Sequence, residues 1–161
     1  MSDSDDDKPT ILLLCLGDQW MRDKLDSDFR SSIETLLEKA NLKRAKTLRG
    51  SLKYLNEHRP DGIIVTDNGV LSDDNRELLG RVVAFAQYGG TVVFSFCFAS
   101  VTGFDQVKRL WQTSWGFPWT MSISSHRAGF HVNTSALRIT ADAVESNTSK
   151  DGEEKATLLL P

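Results

Sequence analysis

Three largely apolar runs, each ending at a tight turn, restrict the fold of this chain more than any other feature. They span residues 11–16, 62–66 and 91–97, and none of them alternates apolar with polar residues as a half-solvated strand does. Short runs bounded by Gly, Asp and Asn predict strands that are buried on both faces. Such strands are typical of the middle of a parallel sheet.

Segments with helical spacing separate these runs. Apolar residues recur every three or four positions over 21–40 and 72–88, and shorter helices are predicted at 51–58 and 103–114. A further short strand is expected at 43–48. Strands that alternate with helices imply right-handed βαβ units. The chain is therefore predicted to be an α/β protein, a flavodoxin-like three-layer sandwich with a mainly parallel sheet of strand order 2-1-3-4-5.

The predicted domain occupies residues 10–144, between two polar end segments. Residues 1–9 are expected to be a disordered acidic tail, because the first eight hold four Asp and one Lys. Residues 145–161 are interpreted as a polar linker followed by an incomplete terminal strand. The fold is accordingly expected to be truncated at its C-terminal end.

Charge and composition narrow the classes of function. The first eight residues carry the whole formal charge of −3 and leave 18 basic and 18 acidic side chains elsewhere. This balance argues against a nucleic-acid module. Residues 38–59 form one basic stretch, interpreted as a solvated face, and nucleic-acid binding through it is the least favoured function. No phosphate-binding glycine loop and no zinc-spaced Cys or His occurs, so no cofactor and no metal is predicted.

The expected location is cytoplasmic or nuclear. The N-terminus has no basic start followed by an apolar run, and the longest early apolar stretch is too short to span a bilayer. Cys15 and Cys97 both lie inside apolar runs, which is typical of reduced thiols in intracellular proteins. Membrane association is not expected.

Three turns are predicted to meet at the carboxyl edge of the sheet, where open α/β sheets bind ligands. They follow the apolar runs and comprise residues 17–20, 66–69 and 97–100. Cys97 precedes a predicted helix and has small residues two positions away on either side, as a nucleophile elbow requires. The backbone N–H groups of Phe98 and Gly69 are expected to face an oxyanion beside it.

An acid and a base complete this constellation. Asp18 ends the neighbouring strand, where it could hydrogen-bond the sulfur or orient a base. His126, or His131 in second place, is the imidazole expected to move the proton. A structural role competes for each residue: Cys97 as a buried thiol, Asp18 as a helix cap, and the histidines as surface groups.

These segments resemble the class I glutamine amidotransferase-like superfamily, which includes PfpI-like cysteine enzymes and ThuA-like domains. The resemblance is carried by Ile11–Asp18, Gly62–Gly69 and Tyr88–Cys97, and it covers about residues 10–115 with their helices. It implies a nucleophile at Cys97, an oxyanion donor at Gly69, an acid at Asp18 and a histidine base. The family's elbow is Gly-x-Cys-x-Gly, whereas this chain has Ser-Phe-Cys-Phe-Ala.

Two functions from different classes follow. The slightly favoured one is a catalytically silent domain of this fold with a binding or assembly role, because the elbow is altered. The alternative is a hydrolase or transferase in which Cys97 attacks an amide, ester or aldehyde carbon. The silent domain would bind an unidentified small molecule or form a homodimer through a group of aromatic residues, Trp111, Trp115, Phe117 and Trp119.

Overall fold

A computed structural model describes residues 8–119, and these residues are built around a four-stranded, all-parallel sheet. The strands lie in the order β2-β1-β3-β4. Their bounds are Thr10–Leu14 (β1), Asn41–Ala45 (β2), Gly62–Val65 (β3) and Thr91–Phe94 (β4). The α/β class expected from the sequence is thereby confirmed, and the four described strands have the expected order.

Helices connect the strands. They are Gln19–Asp28 (α1), Arg30–Lys39 (α2), Leu48–Glu57 (α3), Arg76–Gln87 (α4), Phe98–Val101 (α5) and Phe104–Arg109 (α6). Short 3-10 turns at Asn68–Leu71 and Asp73–Asn75 precede α4, and a π-helical turn, Leu110–Ser114, follows α6. Within residues 8–119, no helix has the length and apolar character that crossing a bilayer demands.

The first apolar run forms the centre of the sheet. β1 pairs in parallel with β2 on one side and with β3 on the other, so that Leu12 lies opposite both Lys43 and Ile63. Leu12, Leu14 and Cys15 are fully buried. An uninterrupted apolar run is what a strand covered on both faces needs, since each face must exclude water.

Helices cover the two faces of β1. Leu13 and Cys15 point to one face, where Leu25 of α1 joins them in a core cluster and Phe29 and Ile33 pack against it. Leu12 and Leu14 point to the opposite face, because side chains alternate along a strand. Right-handed crossovers place α3 and α4, which contact each other, on that second face.

The long helix predicted at 21–40 is two helices in the structure. The chain leaves helical geometry at Phe29 (φ −110°, ψ 18°), which separates α1 from α2. The Phe29 ring packs edge-on against Phe96, with 5.3 Å between the ring centroids. The apolar period continues across the break because both helices bury their stripes on the same face of the sheet.

The third apolar run also differs from its prediction. It was expected to be a strand over 91–97 with both faces buried, but β4 ends at Phe94, and its residues Val92 to Phe94 are only half-buried. Within the described part of the chain, β4 pairs with β3 alone and is therefore an edge strand. The predicted fifth strand, residues 1–7 of the predicted tail over 1–9 and the linker over 145–161 lie outside the described residues. Residues 8 and 9 of that tail accept hydrogen bonds from Asn41 at the start of β2.

Candidate functional site

The loops after β1, β3 and β4 leave the sheet at its carboxyl edge. β1 and β3 are adjacent although β2 lies between them in sequence, so the strand order reverses at this pair. In open α/β sheets the crevice at such a switch point is the usual ligand site. The contents of this crevice therefore decide what the edge can do.

A buried carboxylate, Asp67, fills the crevice between the loops after β1 and β3. Its Oδ1 accepts hydrogen bonds from the backbone N–H of Gly17 (2.8 Å) and of Gly69 (2.9 Å). Its Oδ2 lies 3.2 Å from the hydroxyl of Thr66. Asp67 is 2% exposed, so the chain itself occupies the N–H groups that could otherwise face a ligand.

The direction of the pKa shift of Asp67 follows from this setting. Burial raises the pKa of the Asp67 carboxyl above its ordinary value of 3.8, and the hydrogen bonds from Gly69, Thr66 and Gly17 oppose that rise. The Thr66 hydroxyl donates to the carbonyl of Leu14 at 2.9 Å, which leaves its oxygen able to accept. When Asp67 is ionised, the Thr66 hydroxyl is the donor to Oδ2; when Asp67 is protonated, Oδ2 can donate to the Thr66 oxygen while Oδ1 keeps both N–H groups.

The same two loops are in direct backbone contact. A Cβ atom added at Gly69 would lie 2.4 Å from the carbonyl carbon of Leu16 and 2.5 Å from the nitrogen of Gly17. Real side chains do not approach backbone atoms this closely, so only glycine fits. The loops thus close the crevice by contact as well as by hydrogen bonding.

Cys97 lies beside this crevice but is buried. Its thiol is 1% exposed, and the sulfur lies 3.9 Å from the carbonyl oxygen of Met21 in α1. Burial raises the pKa of the Cys97 thiol above its ordinary value of 9.0, and the Lys24 ammonium opposes that rise only in part. The thiolate required of a nucleophile is therefore disfavoured at neutral pH.

A strained turn follows β4, but Cys97 does not occupy its strained position. Among residues 8–119, Phe96 is the one non-glycine residue with a positive φ (58°). Cys97 has ordinary helical angles (φ −73°, ψ −17°). Nucleophile elbows place the nucleophile itself at the strained residue, with small neighbours two positions away. Here those neighbours of Phe96 are Phe94 and Phe98, whose rings lie 4.8 Å apart.

Two of the other predicted site residues, Phe98 and Gly69, have their backbone N–H groups occupied within the chain. The Phe98 N–H donates to the carbonyl of Ser95 at 3.1 Å, and the Gly69 N–H is taken by Asp67. Asp18 is exposed at the N-cap of α1, where its side chain makes no capping hydrogen bond. His126 and His131 lie outside the described residues.

The burial of Asp67 between the two loops was not predicted from the sequence. The segment Asp67–Gly69 was interpreted as an ordinary turn, and a turn does form there. A carboxylate that directly follows a fully apolar strand is the signal that could have singled it out, since such a group is buried unless the chain turns outward at once.

A group of aromatic rings lies beyond the half-buried strand β4. Phe94 contacts Trp111 (5.6 Å between centroids) and Trp115 (6.3 Å), and Trp119 lies 5.6 Å from Trp111. Phe117 stacks on Trp119 at 4.6 Å. We call these five residues the aromatic face. The Trp115 indole nitrogen is buried without an acceptor among residues 8–119, which is unusual for a buried N–H group.

Comparisons with known proteins add no assignment. No protein-family model matches the sequence, and neither the curated proteins nor the solved structures contain a significant match. In residues 8–119, no three His, Cys, Asp or Glu side chains are grouped so that they could hold a metal ion. The function must be inferred from the chemistry of the carboxyl edge and of the aromatic face.

Proposed function

We propose that this chain is a catalytically silent, flavodoxin-like α/β domain, akin to the class I glutamine amidotransferase-like superfamily, with a role in assembly. The observation that carries the proposal is the turn after β4, where Phe96 holds the strained position of an elbow while Cys97 is buried beside it. A fold that keeps the turn but places a phenyl ring at its apex has no exposed nucleophile there.

The sheet supports the flavodoxin-like part of the proposal. Four parallel strands in the order β2-β1-β3-β4 are the first four of a 2-1-3-4-5 sheet. Each strand of the pair at the switch point ends in a loop that the superfamily would use for its acid or its oxyanion donor. The resemblance of 10–115 to that superfamily rests on these positions.

The hydrogen bonds at the carboxyl edge favour the silent domain over the cysteine hydrolase or transferase. An oxyanion hole needs N–H groups that are free before the substrate arrives. The N–H groups of Gly69 and Phe98 are both satisfied by the chain itself, one by a carboxylate and the other by a carbonyl. An oxyanion would have to displace these acceptors.

The aromatic face is the surface that we propose for assembly, with a second copy of this chain as the occupant. Aromatic residues of this kind dominate the cores of protein interfaces. β4 is half-buried at the edge of the described sheet, and Trp119 is 36% exposed.

Thiol labelling tests the silent assignment. We expect Cys97 and Cys15 to react with a disulfide reagent about 100-fold or more slowly in the native chain than in the unfolded chain, because both are buried. The reaction rate of Cys97 should also keep rising up to pH 9, since its pKa is raised above 9.0. Stopped-flow absorbance of the wild type and of the Cys15→Ala and Cys97→Ala variants assigns each rate.

The opposite labelling pattern would support the enzyme. If Cys97 reacted rapidly at pH 6 while Cys15 stayed protected, Cys97 would be an exposed thiolate and the silent assignment would be wrong.

Light scattering tests the assembly surface. We expect a dimer at micromolar concentration, and Trp119→Ala should raise its dissociation constant about tenfold or more because an interface loses a large aromatic anchor. The matched control is Trp20→Ala, which removes an exposed tryptophan (53%) at the start of α1 that is not a member of the aromatic face. A wild-type chain that stays monomeric at a concentration on the order of 100 µM would contradict the homodimer proposal. Equal effects of the two variants would contradict it as well.

A further inference from the structure

Basic side chains of this chain are concentrated in one stretch, whose helices α2 and α3 both contact the strand β2. Residues 38–59 hold seven basic side chains against two glutamates. They belong to the end of α2, the edge strand β2, helix α3 and the turn that follows it. We call the exposed members of this group the basic face: Lys39, Lys43, Lys46, Arg49, Lys53 and Arg59.

Few acids within the described residues neutralise this face. Arg44, which is only partly exposed, forms an ion pair with Asp26 of α1 at 2.6 Å. Lys53 lies 4.0 Å from Glu57, and both side chains are more than half exposed, so water screens that pair. The other five cations of the basic face have no acidic partner within residues 8–119. Like charges gathered in one region of the surface raise its affinity for an anionic segment.

The chain itself carries an acidic segment that enters the fold beside this face. The first seven residues hold four aspartates. The backbone N–H of Asn41 donates to the carbonyl of Pro9 at 2.8 Å, and Thr10 exchanges hydrogen bonds with Asp61. Residue 8 therefore lies close to the starts of β2 and β3. Lys39 precedes the contact residue Asn41 by two positions, and Arg59 precedes the contact residue Asp61 by two positions.

We propose that the basic face binds acidic peptide segments and that residues 1–7 of this chain are its resident occupant. Seven residues reach about 23 Å, which exceeds the length of the five-residue strand β2. The segment is thus long enough to run the full length of β2 from its point of attachment. Because the attachment makes binding intramolecular, a weak contact is occupied for much of the time. An external acidic ligand must displace the segment.

Amide chemical shifts of the full-length chain test this contact. The probe variant replaces Asp3, Asp5, Asp6 and Asp7 with Asn and leaves the folded part unchanged. We expect amide shifts to differ between variant and wild type across residues 38–59, and raising NaCl from about 50 to 500 mM should bring the two spectra together, since salt screens exposed charges. The control Asp74→Asn removes an exposed acid ahead of α4 and should shift only its neighbours.

Binding of inorganic tripolyphosphate gives a second measurement. The Asn variant should bind it about threefold or more tightly than the wild type, because the occupant no longer competes. Adding Lys43→Gln and Lys46→Gln should abolish that difference. Shifts confined to residues 1–10, or equal tripolyphosphate affinity in both chains, would overturn the proposal. Shifts that grow with protein concentration would assign the contact to a second copy and overturn the intramolecular occupant.

Discussion

Replacing Gly69 with alanine is expected to lower the free energy of unfolding by about 3 kcal/mol. The added Cβ would lie 2.4 Å from the carbonyl carbon of Leu16 and 2.5 Å from the nitrogen of Gly17. Both are backbone atoms, so no rotation of a side chain relieves the clash. The loops after β1 and β3 would have to separate, which would also strain the hydrogen bonds to Asp67. Urea unfolding followed by tryptophan fluorescence measures the change.

A second glycine provides the matched control. Gly80 is exposed within α4, and nothing lies within 4 Å of a Cβ added there. Gly80→Ala is expected to stabilise the chain by about 0.5–1 kcal/mol, because alanine loses less conformational entropy than glycine in a helix. If the two variants had the same stability, the loops at the carboxyl edge would not be in the contact described above.

The strands of this fold could be predicted from the sequence because their signal is local. An apolar run such as 11–16 is compatible with few structures other than a buried strand, and the helices between the runs follow from apolar spacing. The edge character of β4 could not be predicted in this way. Its run is also mostly apolar, and the number of paired neighbours, which is a property of the whole sheet, is what makes β4 an edge strand.

The candidate site was predicted less well because its decisive features depend on distant contacts. The small neighbours of Cys97 suggested an elbow centred there, but the strained angle falls on Phe96, whose ring is held by Phe29 of another element. The bonds that make Asp67 a bridge between loops come partly from a residue 50 positions earlier. Neither fact can be derived from the spacing of residues within one turn.

The bridge made by Asp67 gives the largest expected effect of a single substitution. Asp67→Ala is expected to lower the free energy of unfolding by about 4 kcal/mol, because two partly buried N–H groups lose their acceptor and a cavity remains at the buried carboxylate. Asp67→Asn should cost less than about 1 kcal/mol at pH 4. Its amide oxygen can still accept from Gly17 and Gly69, and its NH₂ group can donate to the hydroxyl of Thr66. Urea unfolding of both variants measures the difference.

The stability difference between Asp67→Asn and the wild type should depend on pH. The pKa of Asp67 is raised in the folded state, so the folded chain holds this proton more tightly than the unfolded chain. The wild type therefore loses stability as the pH rises from the ordinary value of 3.8 towards the folded pKa, with a slope approaching about 1.4 kcal/mol per pH unit between the two values. Asparagine does not titrate, so the free energy of unfolding of the variant should rise relative to that of the wild type between pH 4 and 7. A difference that moves the other way would mean that the two N–H bonds outweigh burial and that Asp67 is ionised in the folded chain.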